Sequence, residues 1–167
     1  SGDIVNQAFT AVCQRAVWAL QGKTNQLGTL SGAGFDEASF ESTVAVSSLP
    51  FYGTVKAMVR YLDGKADEAL VAADAWQLPP GMFFHGENAL YRTLSALDLA
   101  RQASDEKRAK LLERVEAEVR TIERWAQSAP DNHAHRLALV QAELAAFQGQ
   151  QEHARDLYGR AMHLAPQ

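Results

Sequence analysis

The segment His135-Arg136-Leu137-Ala138-Leu139-Val140-Gln141-Ala142-Glu143-Leu144-Ala145-Ala146-Phe147-Gln148-Gly149-Gln150-Gln151-Glu152-His153-Ala154-Arg155-Asp156-Leu157-Tyr158-Gly159-Arg160-Ala161-Met162-His163-Leu164-Ala165-Pro166 reads as two helices and a turn. Small and aliphatic residues run without a breaker to Phe147, and Gly149 then interrupts them. A glycine at that point ends a helix and lets its partner approach closely. Ala154 follows five positions later, where anything larger than a methyl group would push the paired helices apart. Tyr158 and Ala161 continue the inner face of the second helix at three- and four-residue spacing. Pro166 stops it.

Working outward, helical periodicity recurs along the chain. Residues 130–147 form the first helix of this pair, restarted by Pro130-Asp131, with the aspartate as its N-cap. Before it, Ser104-Asp105-Glu106-Lys107 resembles a cap with an acidic first turn, and Leu112, Val115, Val119, Ile122 and Ala126 make a seam. Glu106–Lys110, Arg114–Glu118 and Glu116–Arg120 lie four apart on its wet side. Residues 82–102 are apolar on several sides, which predicts a central helix. Pro79-Pro80-Gly81 separates it from a helix over 65–77, and Gly64 separates that one from a helix beginning near Pro50. At the start, Ile4, Val5, Ala8, Phe9, Val12, Ala16, Val17 and Leu20 predict one broad apolar helix face, closed by Gly22. Four glycines between residues 22 and 35 mark a loop, and residues 36–49 allow either a short helix or a strand. About eight helices joined mostly by short turns are predicted, so consecutive helices pack antiparallel.

Composition excludes several classes. The chain has 167 residues, 47% hydrophobic and 22% charged, as folded proteins do. No stretch offers the roughly 18 apolar residues of a membrane span. A single cysteine forbids an intramolecular disulfide framework and fits a reducing, cytoplasmic setting. The net charge is −4, and residues 1–52, 53–103, 104–128 and 129–167 carry −2, −1, 0 and −1. No segment has the basic excess that nucleic-acid binding requires. Ser1-Gly2 is read as the remnant of a removed tag, and 3–167 as one helical domain cut from a larger protein.

The order Gly149, Ala154, Tyr158, Ala161, Pro166 resembles the back half of a tetratricopeptide repeat. Its front half is degenerate, because Ala138, Gln141, Ala142 and Ala145 replace the repeat's aromatic, Leu, Gly and Tyr. A fainter copy begins at Gly64 and Ala69, with Ala73 and Trp76 interrupting its inner face. The expected fold is therefore all-α, antiparallel helix pairs stacked as a degenerate tetratricopeptide-like solenoid.

A wider resemblance joins these pieces. Trp125-Ala126-Gln127-Ser128-Ala129-Pro130-Asp131-Asn132-His133-Ala134-His135-Arg136-Leu137, leading into Ala142-Glu143-Leu144, resembles the helical region of large bacterial multidomain signalling proteins. Leu20-Gln21-Gly22-Lys23-Thr24, Gly34-Phe35-Asp36-Glu37-Ala38-Ser39-Phe40-Glu41 and Leu62-Asp63-Gly64-Lys65-Ala66-Asp67-Glu68-Ala69-Leu70 fit the same region in the same order. In that family a Ser/Thr kinase-like domain and a predicted NTPase precede the region, and a GAF sensor and histidine kinase often follow. This sequence has Ala129 where the family often has Cys, and Leu137 where an aromatic is common. The resemblance implies a non-catalytic module whose partners are proteins, peptides or neighbouring domains of the parent chain.

Candidate sites follow from these readings. A groove lined by the first helix of each pair points to Lys56, Arg60, Asn132, Arg136 and Gln141 as ligand-facing residues. Phe83, Phe84 and Tyr91 are candidates for an apolar pocket, the alternative being a small-molecule sensor arm acting on an adjacent NTPase or kinase. Asn132, His135 and Glu143 form an expected polar junction, with His135 or Arg136 as the partner of Glu143. Gly22-Lys23-Thr24 lacks the leading glycine of a phosphate-binding loop, since Val17 stands in its place, and it follows a helix instead of a strand. His133 and His135 are two apart, a spacing that does not share a helix face, so no metal site is expected. No cofactor or catalytic constellation is expected either. Cys13 is expected in the core, and Trp18, Trp76 and Trp125 are expected to seal helix contacts.

Overall fold

A computed structural model describes residues 2–43, 50–75 and 84–166. Among them all regular structure is α-helical: α1 (Gly2–Leu20), α2 (Glu37–Thr43), α3 (Pro50–Leu62), α4 (Ala66–Asp74), α5 (His85–Gln102), α6 (Asp105–Ser128), α7 (Pro130–Phe147) and α8 (Gln151–Leu164). One isolated β-bridge joins Gly32 and Phe35. The choice between helix and strand after Asp36 falls to helix over Glu37–Thr43; residues 44–49 lie outside the described residues, as do Trp76 and Pro79-Pro80-Gly81. The chain divides into two compact units, Ser1–Arg92 and Thr93–Gln167, where the sequence reading treats 3–167 as one domain.

In the first unit, α1 packs against α3 and α3 against α4. The buried stripe of α1 is Ala8, Val12, Arg15, Ala16 and Ala19, spaced at 4, 7, 8 and 11 residues as a 3.6-residue period demands. This stripe is narrower than the broad face expected from the spacing of apolar residues. Val17 and Leu20 turn outward, 50% and 60% exposed, while Phe9, 40% exposed, keeps its ring against Phe51 of α3 at 4.7 Å. Val12 and Ala16 meet Leu30, Tyr52, Val55 and Val59, with Phe35, Phe40, Met58 and Phe84 around them. Leu30 comes from the glycine-rich loop and is fully buried, which fastens that loop to the core. Burying one leucine this way contributes about 1.5–3 kcal/mol. The three residues 63–65 join α3 to α4, and Ala57, Ala72 and Ala73 form an alanine seam against Tyr91.

In the second unit, α6 packs against α7 and α7 against α8. Residue Ala129 alone separates α6 from α7, and residues 148–150 separate α7 from α8, so both pairs run antiparallel. Gly149 has φ +78°, a left-handed conformation that a β-carbon disfavours, and its N–H donates to the Ala146 carbonyl at 3.1 Å. Ala154 is 2% exposed among Ala142, Ala145 and Leu157, the close approach expected from its size. Ala96, Leu97 and Val115 make a second cluster with Leu111, Leu112, Val119, Leu144 and Phe147.

Two capping expectations need correction. Ser104 is the N-cap of α6 by backbone geometry, but its hydroxyl makes no capping hydrogen bond. Ala129, not Asp131, is the N-cap of α7: Pro130 takes the first helical position, which moves Asp131 into the first turn. There its carboxylate can act only on the helix dipole. Two expected pairs on α6 are present, Lys110–Glu106 at 2.6 Å and Arg120–Glu116 at 3.8 Å.

Candidate functional site

The densest polar construction in the first unit lies where α2, α3 and α4 meet. Asp36 opens α2 by accepting the Ser39 N–H at 2.8 Å, which holds its carboxyl below the usual range. The next residue, Glu37, is thereby turned inward and is 7% exposed. Its Oε2 accepts hydrogen bonds from the Thr29 hydroxyl, from the Leu30 N–H at 3.2 Å and from Arg60 Nη2 at 3.2 Å. The backbone N–H of Glu37 donates to Ser31 Oγ at 3.0 Å. One carboxylate thus ties the glycine-rich loop to α3. Arg60 reaches the other way with Nε to Glu68 of α4 at 2.9 Å.

One turn along α2, Glu41 accepts from Tyr52 Oη and from Lys56 Nζ, both at 2.6 Å. Burial pushes the Glu41 carboxyl up, but hydrogen bonds from Lys56 and Tyr52 and the charges of Lys56 and Arg60 outweigh it, leaving the group below its ordinary value. Tyr52 is raised far above its ordinary value of 10.0, first by burial, then by its bond to Glu41 and the nearby Glu37 and Glu41 charges. It therefore stays a neutral hydroxyl donor.

Of these side chains Glu41, Lys56 and Arg60 reach a groove of about 510 Å³, lined besides by Asp67, Glu68, Val71, Ala72 and Ala75. Val71 is 69% exposed, so the apolar part of the lining faces water. The groove holds Lys56 and Arg60, two of the five residues expected to face a ligand. The other three do not gather at one site. On α7, Asn132 and Arg136 are one turn apart, and Arg136 Nη1 donates to the Asn132 carbonyl. Gln141 stands nine positions from Asn132, on the opposite side of the helix at about 100° per residue. It borders a separate hollow of about 230 Å³ between α6 and α7, near Arg160.

The polar junction also differs from expectation. Glu143 is half-buried, but its partners are Tyr158 Oη at 2.7 Å and Arg101 Nη2 at 3.0 Å, not His135 or Arg136. The reason is geometric. A residue seven or eight positions back on one helix lies two turns away, while α8 and α5 bring donors alongside. Asn132 is exposed at the start of α7 and takes no part in that arrangement.

The two described members of the expected apolar pocket belong to different clusters. Phe84 meets Phe9 edge-on at 6.2 Å and lies tilted against Phe51 at 5.9 Å, and Tyr91 packs near Tyr61 at 5.9 Å and against the alanine seam. Phe83 lies outside the described residues. Gly22-Lys23-Thr24 closes α1: the Gly22 N–H donates to Ala19 O at 3.1 Å and the Lys23 N–H to Trp18 O at 2.8 Å. Cys13 is half-buried with its thiol pushed up by burial, and no group of three metal-ligating side chains occurs among the described residues. Among the described residues no helix is long and apolar enough to cross a membrane.

Sequence reading passed over Glu37 and Arg15. Glu37 was legible only as the residue after an Asp N-cap. Arg15 was legible from its register on the stripe of Ala8, Val12, Ala16 and Ala19. Its guanidinium lies 4.4 Å from the Trp18 ring and 5.3 Å from Phe35, and Nη2 donates to the Ala33 carbonyl. No family model, curated protein or solved structure matches this chain.

Proposed function

We propose that the chain is a non-catalytic helical-repeat module that binds polypeptide, within a multidomain signal-transduction protein. The observation that carries this reading is the α3/α4 groove. It is preformed and open, has an apolar strip exposed to water, and keeps its cations in internal ion pairs. The ion pairs fix these side chains, so the wall of the groove is pre-organised and a ligand orders little on binding. The antiparallel α7/α8 pair, with Gly149 at its turn and Ala154 at its contact, supports the tetratricopeptide-like reading of the helices. The alternative of a small-molecule sensor arm rested on Phe83, Phe84 and Tyr91. With the two described rings in separate clusters, no observation favours it.

The test is selection of a displayed random-peptide library on the whole chain, followed by hydrogen exchange with the enriched peptide. Slowed exchange in α3 and α4, lost on Val71→Asp, supports the proposal. Protection confined to α6–α8, or no enrichment, overturns it.

A further inference from the structure

The charge around the groove is unbalanced. The lining carries three carboxylates, Glu41, Asp67 and Glu68, and two cations, Lys56 and Arg60; the buried Glu37 pairs with Arg60 from behind and brings the carboxylates to four. Both cations are occupied, Lys56 by Glu41 at 2.6 Å and Arg60 by Glu37 at 3.2 Å and Glu68 at 2.9 Å. Asp67 is exposed and makes no ion pair among the described residues. The N-terminal end of α4 adds about half a positive charge through its dipole, too little to cancel a surplus of two negative charges. The rim of the groove that faces water is therefore anionic.

The apolar strip lies beside that rim. Asp67, Val71 and Ala75 are four residues apart on and just past α4, so they share one face, with Glu68 and Ala72 in the adjoining row toward α3. A ligand meeting this surface finds carboxylates at one end and, one helical turn or about 5.4 Å further on, the exposed Val71 methyls. An aliphatic side chain laid over Val71 removes apolar area from water. A cation beside it neutralises Asp67 without competing for an existing pair.

We infer that the groove takes a basic amphipathic segment of a partner polypeptide, with Lys or Arg set against Asp67 and Glu68 and an aliphatic side chain over Val71 and Ala75. This rests on the reading of the groove as a polypeptide-binding surface. An acidic segment is disfavoured because it would have to break the Lys56 or Arg60 pairs to find a cation, and a purely apolar one would leave the carboxylates desolvated.

The experiment uses the whole chain and two fluorescently labelled peptides of equal length and identical leucine pattern, one with Lys and one with Glu at the polar positions. Fluorescence anisotropy should show binding of the Lys peptide, weakening as salt is raised, and about tenfold or greater preference over the Glu peptide. Asp67→Lys with Glu68→Lys should reverse the preference, with far-UV circular dichroism confirming that the helices persist. Asp67→Asn, a milder change at an exposed site, should weaken the Lys peptide alone. Equal binding of both peptides, or preference for the Glu peptide, overturns the inference and leaves the polypeptide groove standing. If neither binds while a library-selected peptide protects α3 and α4, the inference again falls alone. If the library also yields nothing, both readings fall together.

Discussion

Replacing Glu37 by glutamine tests whether the carboxylate is what holds α2 and the glycine-rich loop to α3. Its Oε2 takes three donors, so the glutamine carbonyl will occupy that position and keep Thr29 and Leu30. The new amide then stands where Oε1 was, 3.5 Å from Arg60 Nη2, donor facing donor. Arg60 Nη2 still reaches the oxygen in the Oε2 position, but it faces a neutral carbonyl, so much of the worth of a charge-assisted bond, about 1.5–3 kcal/mol, is lost. Breaking a fully buried pair costs about 3–5 kcal/mol, but Arg60 retains Glu68, whose side chain is half exposed. The expected cost is about 2–3 kcal/mol. Native-state hydrogen exchange on α3 reads it locally, as about 30-fold or greater acceleration. Arg60→Met should cost about as much, and the double variant should cost at least about 1 kcal/mol less than the sum, because the two groups lose the same interaction. Exchange in α3 within twofold of the parent chain, or strict additivity of the two changes, would refute the reasoning.

Further outcomes follow from the same geometry. Gly28 has φ +73°, and a β-carbon there would fall 2.2 Å from Asp63 Oδ2, so Gly28→Ala should cost about 2–4 kcal/mol in urea unfolding, relieved in part by Asp63→Gly. Gly149→Ala, with open space around it, should cost only about 1–2 kcal/mol. Tyr158→Phe removes one of two partners of Glu143 and should lower the stability of α7 and α8 by about 1 kcal/mol by hydrogen exchange, while leaving α3 unchanged. Glu41 is held below its ordinary 4.5, so its contribution is present above that pH and is lost as pH falls through the folded value. An acid titration by circular dichroism should flatten on Lys56→Met. Tyr52 is raised above 10.0, so its contribution is present below pH 10 and declines as pH rises beyond it. Tyrosinate absorbance should place its ionisation with unfolding, a step absent in Tyr52→Phe.

The helices were legible because their evidence is local. Periodicity and breakers such as Gly149 and Pro166 act within a few residues, and the eight predicted helices have eight counterparts among the described residues. The site was legible only where its residues share one element, as Lys56 and Arg60 do on α3. Glu143 shows the limit. Its environment was inferred from α7 alone, but its partners arrive from α5 and α8, and sequence separation carries no information about which helix stands alongside. Arg15 shows a second limit. A charged side chain on a buried register is ordinarily counted as a reason to rotate the helix, because burying an unpaired charge is costly. Here the rings of Trp18 and Phe35 and the Ala33 carbonyl offset part of that cost, so the stripe keeps its register and the arginine stays inside. Glu37 follows the same logic in reverse, since its burial is made tolerable by donors from a loop that carries no periodic signal. Both buried charges are tied to the segment between α1 and α2. That segment closes the α1/α3 core with polar groups, and through Glu37 it also holds Arg60, a lining residue of the groove, in place.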